Sequence, residues 1–161
     1  MDLNIEEEQK LSRMATDKAI ELLKDTDTPI TCKGSGCFGC CSLTVTVFPE
    51  EVKKLADLVL SGKVSIDFAR LKRKVMGSER IADQWCPFLK GGACSVYEDR
   101  PIMCSRMIVT SDPENCKNDG KKDQVMPNEL DKRWSFLAMT YGQVKLHIAL
   151  YNLLLRNGMK A

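Results

Sequence analysis

Eight cysteines, arranged in two blocks, are the residues of this sequence best suited to chemistry. The first block occupies ten residues with three interleaved glycines and contains Cys32, Cys37, Cys40 and Cys41. The second block is more widely spaced and contains Cys86, Cys94, Cys104 and Cys116. Because glycine lets the backbone turn tightly, thiols gathered in this way are most simply interpreted as ligands of metal sites.

The soft thiolate ligands favour zinc or an iron–sulfur centre over magnesium or calcium. The pair Cys37-x-x-Cys40 has the spacing of a zinc knuckle, and eight thiols suffice for two closed four-cysteine sites. Adding Cys32 gives the spacing of plant-type two-iron clusters, with a distant fourth thiol. Spacing therefore leaves both kinds of centre open.

The adjacent pair Cys40 and Cys41 restricts how the thiols share metals. Side chains of neighbouring residues usually point apart, so we expect the pair to serve two metals, two irons of one cluster, or one ligand and one buried thiol. A disulfide framework is disfavoured because the N-terminus has no secretory signal. Eight buried free thiols would leave the clustering unexplained.

Composition and charge narrow the class of protein. The chain has 161 residues, which predicts a single domain spanning 1–161. A net charge of +2 predicts neither a nucleic-acid partner nor a charged membrane surface, and no apolar run approaches the ~20 residues of a membrane span. We therefore expect a cytoplasmic protein whose partner is a metal ion or cluster, with any protein partner left open.

Hydrophobic periodicity predicts a mainly α fold, a small helical domain of about four helices with at most a short extended segment at 43–47. The predicted helices are 4–24, a second from Pro49 to the Ser61-Gly62-Lys63 stop, a third at 65–76, and a long last helix from Asn128 to Asn157. The last helix carries a broad apolar stripe, which we expect to pack on the first helix and on the metal loops.

The third predicted helix is basic, with Arg70, Lys72, Arg73 and Lys74. A patch for phosphate or an acidic partner is one interpretation, but a solvated helix face is favoured because the whole chain is nearly neutral.

Residues 83–127 have the composition of a long irregular segment, rich in proline and glycine. Some forty residues of loop are unusual inside a compact domain unless something fastens them. The four cysteines of the second block are the obvious fastening, which is a second argument for metal.

The two blocks resemble the YkgJ-type, or CxxCxxCC, cysteine-cluster family, described as zinc- or iron-chelating proteins. The resemblance covers about residues 30–118, the expected metal-binding core, and rests on Cys37-Phe38-Gly39-Cys40-Cys41, Pro49-Glu50-Glu51, Cys86-Pro87-Phe88-Leu89, Cys94 through Arg100-Pro101, Cys104 and Cys116. Two features depart from the family pattern. Four residues, not the usual two, follow Cys32, and Ser105 separates Cys104 from Arg106.

The resemblance implies metal chelation rather than a particular reaction. A related cysteine cluster occurs in flagellin lysine methylases, so a redox or catalytic role is an alternative, but the chain has no glycine-rich nucleotide motif. A partner-binding module that uses helix 65–76 or the C-terminal helix is a further alternative.

Three residues near the second block are candidates for binding the cofactor. Tyr97 is expected either to pack on the cluster or to be an ordinary core tyrosine. Arg100 either neutralises thiolate charge or pairs with Glu98 or Asp99, and Arg106 is a similar candidate. His147, the only histidine, is expected to be a helix-face residue rather than a ligand or base.

The leading hypothesis is that the eight cysteines hold zinc or an iron–sulfur centre that mainly organises the fold. In this interpretation the metal ties residues 83–118 to the loop at 32–41. Structural zinc contributes on the order of 10–16 kcal/mol in small domains.

Overall fold

The computed structural model describes residues 3–26, 39–106, 108–109, 124–125 and 128–160. Within these ranges the protein is mainly helical, as predicted, with strands of only two residues. The elements in order are α1 (Ile5–Lys24), a 3-10 turn (Gly39–Ser42), β1 (Thr46–Val47), α2 (Pro49–Leu60), α3 (Phe68–Val75), α4 (Ile81–Gln84), β2 (Leu89–Lys90), β3 (Ala93–Cys94), α5 (Ile102–Ser105), β4 (Ile108–Val109), β5 (Gln124–Val125), α6 (Asn128–Tyr141), β6 (Val144–Lys145) and α7 (Leu146–Arg156).

The starts of the first three long helices follow from local capping chemistry. The side chain of Asn4 accepts a hydrogen bond from the Glu7 backbone N–H and caps α1. Proline occupies the first position of α2, where its missing N–H costs nothing. The Asp67 carboxylate accepts the Arg70 N–H at 2.8 Å, so α3 starts at Phe68 and is shorter than the predicted 65–76.

The prediction of one long last helix is wrong. Helix α6 ends at Tyr141, and Gly142 follows with φ of +72°, a left-handed conformation that terminates helices. After Gln143, Val144 and Lys145 form β6, which pairs antiparallel with β1 through Thr46↔Lys145 and Val47↔Val144. The extended segment predicted at 43–47 therefore contains β1, and its partner β6 interrupts the predicted last helix.

The main apolar core lies between α2, α3 and α7. Its fully buried residues include Leu55, Leu71, Leu150 and Leu154, and the Phe68 and Tyr151 rings stack at 5.5 Å. The apolar face of α7 thus packs mainly on α2 and α3.

The predicted contact with the metal loops is present at Leu146, which lines the cavity that contains the cysteines. The predicted contact with α1 is made by α6, where Ile5 packs against the apolar cluster that contains Trp134 and Leu137.

A second, smaller core forms where α6 meets α5 and the start of α2. It consists of Phe48, Ile102, Trp134 and Leu137. The ion pair between Arg133 and Glu8 joins α6 to α1 beside this cluster. None of the described helices combines the length and apolar character needed to cross a membrane.

The segment predicted to be irregular contains ordered structure in its first half. Strands β2 and β3 form a hairpin in which Leu89 pairs with Cys94. Its two turn residues, Gly91 and Gly92, both have positive φ, at 54° and 78°, as tight hairpin turns require. The hairpin and α5 together give Cys94 and Cys104 defined positions. Most of the segment beyond 109 lies outside the described residues.

Candidate metal centre

Five cysteines line a single cavity of about 160 Å³. They come from the 3-10 turn, the segment after α4, strand β3 and α5, and they are Cys40, Cys41, Cys86, Cys94 and Cys104. All five are free thiols. The other three predicted ligands, Cys32, Cys37 and Cys116, lie outside the described residues.

The two cysteine blocks are joined directly through the backbone. The N–H of Cys86 donates to the carbonyl oxygen of Cys41 at 2.8 Å. This bond fixes the 3-10 turn against the segment that precedes the hairpin. Thiols that are 45 positions apart in sequence are therefore neighbours.

Two of the thiols accept hydrogen bonds from the backbone two positions further along the chain. The sulfur of Cys86 accepts the N–H of Phe88, and that of Cys94 accepts the N–H of Val96. Each bond favours the thiolate over the thiol and lowers the pKa of its cysteine. The same local turn therefore occurs at Cys86, before β2, and at Cys94, in β3. In both places it prepares the sulfur to bind a metal cation.

Burial opposes the ionisation of these thiols. Burial raises the pKa of Cys86 to about 11 and raises those of Cys94 and Cys104. The pKa of Cys41 is raised first by its hydrogen bond with Cys40 and then by burial. Each nearby thiolate also raises the pKa values of the other cysteines. Several of them can therefore ionise together only if a cation compensates their negative charges.

Arg100 and Tyr97 both line the cavity. The Arg100 guanidinium carbon lies 3.7 Å from the centroid of the Tyr97 ring, and Nη1 donates to the Tyr97 carbonyl at 3.2 Å. The charge of Arg100 lowers the pKa of Cys94, against the larger effect of burial. Asp99, one of the two alternative partners of Arg100, instead forms an ion pair with Lys54 at 2.9 Å.

Arg106 occupies a different environment. It is buried, and its guanidinium lies 4.6 Å from the centroid of the Trp134 ring, in the smaller core. It is not one of the described residues that line the cysteine cavity. Of the three cofactor-binding candidates, the structure therefore brings two to the thiols.

Two buried polar atoms on the cavity wall have no hydrogen-bond partner within the described part of the chain. They are Oγ1 of Thr16, on α1, and Nε of Arg100. Buried polar groups are normally satisfied, so orphaned donors that share one cavity indicate a missing acceptor. Thiolate or inorganic sulfide would be such an acceptor. The residues present thus fit a sulfur-rich metal centre.

The described side chains do not form a closed ion site as they stand. Among them, no group of three or more Cys, His, Asp or Glu residues is arranged to hold a metal ion. The described residues therefore offer five thiols around a cavity, which a metal with further ligands or a larger inorganic core would fill.

The basic face of α3 is only in part the solvated surface that the sequence favours, because Lys72 and Arg73 are exposed whereas Arg70 and Lys74 are partly buried. Arg70 donates to the carbonyl oxygens of Cys86 and Leu89 at 3.4 and 3.3 Å. Arg73 pairs with buried Asp83 at 2.8 Å, and Lys74 donates to the carbonyls of Ser42 and Gln84. Three of the four cations thus fasten α3 to the segment that carries Cys86.

His147 lies on α7 as predicted, but it is buried with 4% of its surface exposed. Neither ring nitrogen has a hydrogen-bond partner within the described residues. Burial, with a smaller effect of the Lys74 charge, lowers the pKa of His147 from 6.5 to about 4. The sequence did carry a sign of this burial, because Tyr151 and Leu154 lie four and seven positions after His147, on the same helix face.

Replacing His147 with leucine should make the free energy of unfolding depend less on pH below neutrality. The depressed pKa means that unfolding takes up a proton below about pH 6.5, so stability falls as the pH falls towards 4. Between pH 7.5 and 5.5 the wild type should lose about 1.5 kcal/mol from this source, and the leucine variant none. Urea unfolding at the two pH values measures the difference, and parallel losses in both proteins would contradict it.

Comparison with known proteins gives one match. No curated protein and no solved structure matches the chain. The family CxxCxxCC, whose description is "Putative zinc- or iron-chelating domain", matches residues 31–128, which is more than half of the chain and includes all eight cysteines. This protein therefore belongs to the CxxCxxCC family.

Proposed function

We propose that the cysteine thiolates of this protein hold zinc or an iron–sulfur centre whose main role is to organise the fold. The observation that carries the proposal is the convergence of five free thiols, from four separate elements, on one cavity. Cys32, Cys37 and Cys116 are proposed as further ligands. Free thiols in this number suit a reducing compartment, so a cytoplasmic location is part of the proposal.

The geometry favours an iron–sulfur centre over a single zinc ion. One structural zinc takes four ligands, with sulfurs about 2.3 Å away, and leaves no space inside its site. Here five thiols surround about 160 Å³, and the adjacent Cys40 and Cys41 both face that space. A cluster with several irons and bridging sulfides accommodates neighbouring thiolates and supplies acceptors for buried donors.

The surrounding residues would stabilise the negative charge of such a centre. The N–H groups of Phe88 and Val96 donate to cysteine sulfurs, and the guanidinium of Arg100 lies in the cavity wall. Tyr97 holds that guanidinium in place through its ring and its carbonyl. When bound, an iron–sulfur centre would also supply the capacity for electron transfer, which keeps the redox alternative within the proposal.

Purification without oxygen, followed by elemental analysis and an absorption spectrum, tests the proposal. We expect iron and acid-labile sulfide in comparable amounts, with a broad visible absorption. Colourless protein with stoichiometric zinc would retain the metal centre and exclude the iron–sulfur version. Folded protein containing neither metal would overturn the proposal as a whole.

A further inference from the structure

Lys74 lies at the junction of the two cysteine blocks, with its side chain half-buried. Its ammonium donates to the carbonyl of Ser42, immediately after Cys41, at 3.3 Å. It also donates to the carbonyl of Gln84, two residues before Cys86. One cation thus ties together the two chain segments from which Cys41 and Cys86 project.

The neighbouring cations of α3 do not share this position. Arg70 and Arg73 contact the 83–90 segment through the Cys86 and Leu89 carbonyls and through Asp83, and Arg70 also pairs with Asp67 at the start of α3. Lys72 is exposed in the last turn of the helix. Among the described residues of α3, Lys74 is therefore the cation that contacts both segments.

The charge of Lys74 also interacts with the thiols. The charges of Cys86 and Cys41 favour its cationic form, whereas burial, the larger effect, lowers its pKa. In return, the ammonium lowers the pKa of Cys86 against the larger effect of burial.

We infer that Lys74 is a positioning residue of the thiolate centre: its hydrogen bonds to the Ser42 and Gln84 carbonyls hold the Cys41 and Cys86 segments together and place a positive charge at their junction. The inference rests on the proposed metal-binding function. It assigns a role to a residue that the sequence places on a solvated basic face. Mutation of residues that position metal ligands without binding the metal typically lowers metal affinity by about 10- to 100-fold.

The test compares Lys74→Met, Lys74→Arg and the exposed control Lys72→Met, each purified as holoprotein alongside the wild type. An acid titration follows metal release with a chromogenic chelator that reports zinc and iron. We expect Lys74→Met to release metal at a pH about 0.3–0.5 higher, since an affinity loss of 10- to 100-fold is spread over as many as four competing protons. In Lys74→Arg the pH of metal release should return most of the way to the wild-type value, and Lys72→Met should release metal at the wild-type pH.

The outcomes separate this inference from the proposed function. If the wild type holds metal and Lys74→Met releases it at the wild-type pH, Lys74 has no role at the centre and the inference alone fails. An equal shift in Lys72→Met would reduce the effect to general surface charge and also overturn it. If the wild type holds no metal, the proposed function fails and the inference falls with it.

Discussion

Removal of the metal should lower the midpoint of thermal unfolding by more than about 20 °C. Structural zinc contributes on the order of 10–16 kcal/mol to small domains, and a centre held by more thiolates should contribute on the same order, whereas the net stability of a domain is only about 5–15 kcal/mol. For a chain of this length, each kcal/mol corresponds to about 2–4 °C. Circular dichroism melts of the holoprotein and of the chelator-treated protein measure the change directly.

The position of the thiols predicts which region depends most on the metal. Phe88 and Val96, which flank the cavity, also belong to the main core, so losing the centre should loosen the hairpin before the α2–α7 contact. Amide hydrogen exchange should therefore show the greatest loss of protection in residues 86–106.

Two controls keep this prediction falsifiable. Adding the metal back should restore the original melt, and Cys94→Ser should reproduce part of the loss, whereas replacing the adjacent exposed Ser95 with alanine should not. Superimposable melts with and without chelator would show that apolar packing alone maintains the fold.

The parts of the fold that depend on local chemistry could be predicted from the sequence. The cap residue Asn4, the proline at the first position of α2 and the acids in the first turns mark the starts of α1 and α2. The Gly91-Gly92 dipeptide was available as a hairpin signal, but the proline-rich composition around it favoured an irregular segment. Gly142 was available as a signal for a helix end, but the strand that follows it could not be anticipated, because β6 depends on pairing with β1, almost one hundred residues away.

In the candidate site, too, the sequence indicates some residues, whereas only the structure reveals others. Cysteine spacing indicates a metal centre because few other uses explain clustered thiols, and the structure brings five of them together. The residues around the thiols carry no such pattern. Lys74 and Arg70 resemble any exposed helical cations until the carbonyls of the Cys86 segment are known to face them.

Glu51 is another residue whose role only the structure reveals. In the sequence it is an acid in the first turn of α2, where the helix dipole accounts for it. In the structure it is fully buried, and its carboxylate accepts the N–H of Phe48 at 3.0 Å and that of Ile102 at 2.7 Å. The side-chain amide of Gln9 donates to it as well, at 3.4 Å. One carboxylate thus joins α1, α2 and α5, the helix that carries Cys104.

Replacing Glu51 with alanine should lower the free energy of unfolding by about 3 kcal/mol or more, because each buried donor left unsatisfied costs about 1–3 kcal/mol. Burial raises the pKa of Glu51, so removing a desolvated carboxylate offsets part of that cost, and the loss should be less than three full penalties. Glu51→Gln retains one oxygen acceptor and should lose about half as much. Urea unfolding of the holoproteins measures both values.

The neighbouring Glu50 provides the matched control, since one of its carboxylate oxygens is buried without a hydrogen-bond partner in the described part of the chain. Glu50→Gln should change stability by less than about 1 kcal/mol, the usual size of a helix-dipole effect. If Glu51 joins the helices as the structure indicates, Glu51→Ala should also release metal more readily, because the N–H of Ile102 at the start of α5 loses its acceptor. If Glu50→Gln and Glu51→Gln lowered the free energy of unfolding equally, the loss of charge, rather than the three hydrogen bonds of Glu51, would determine the result.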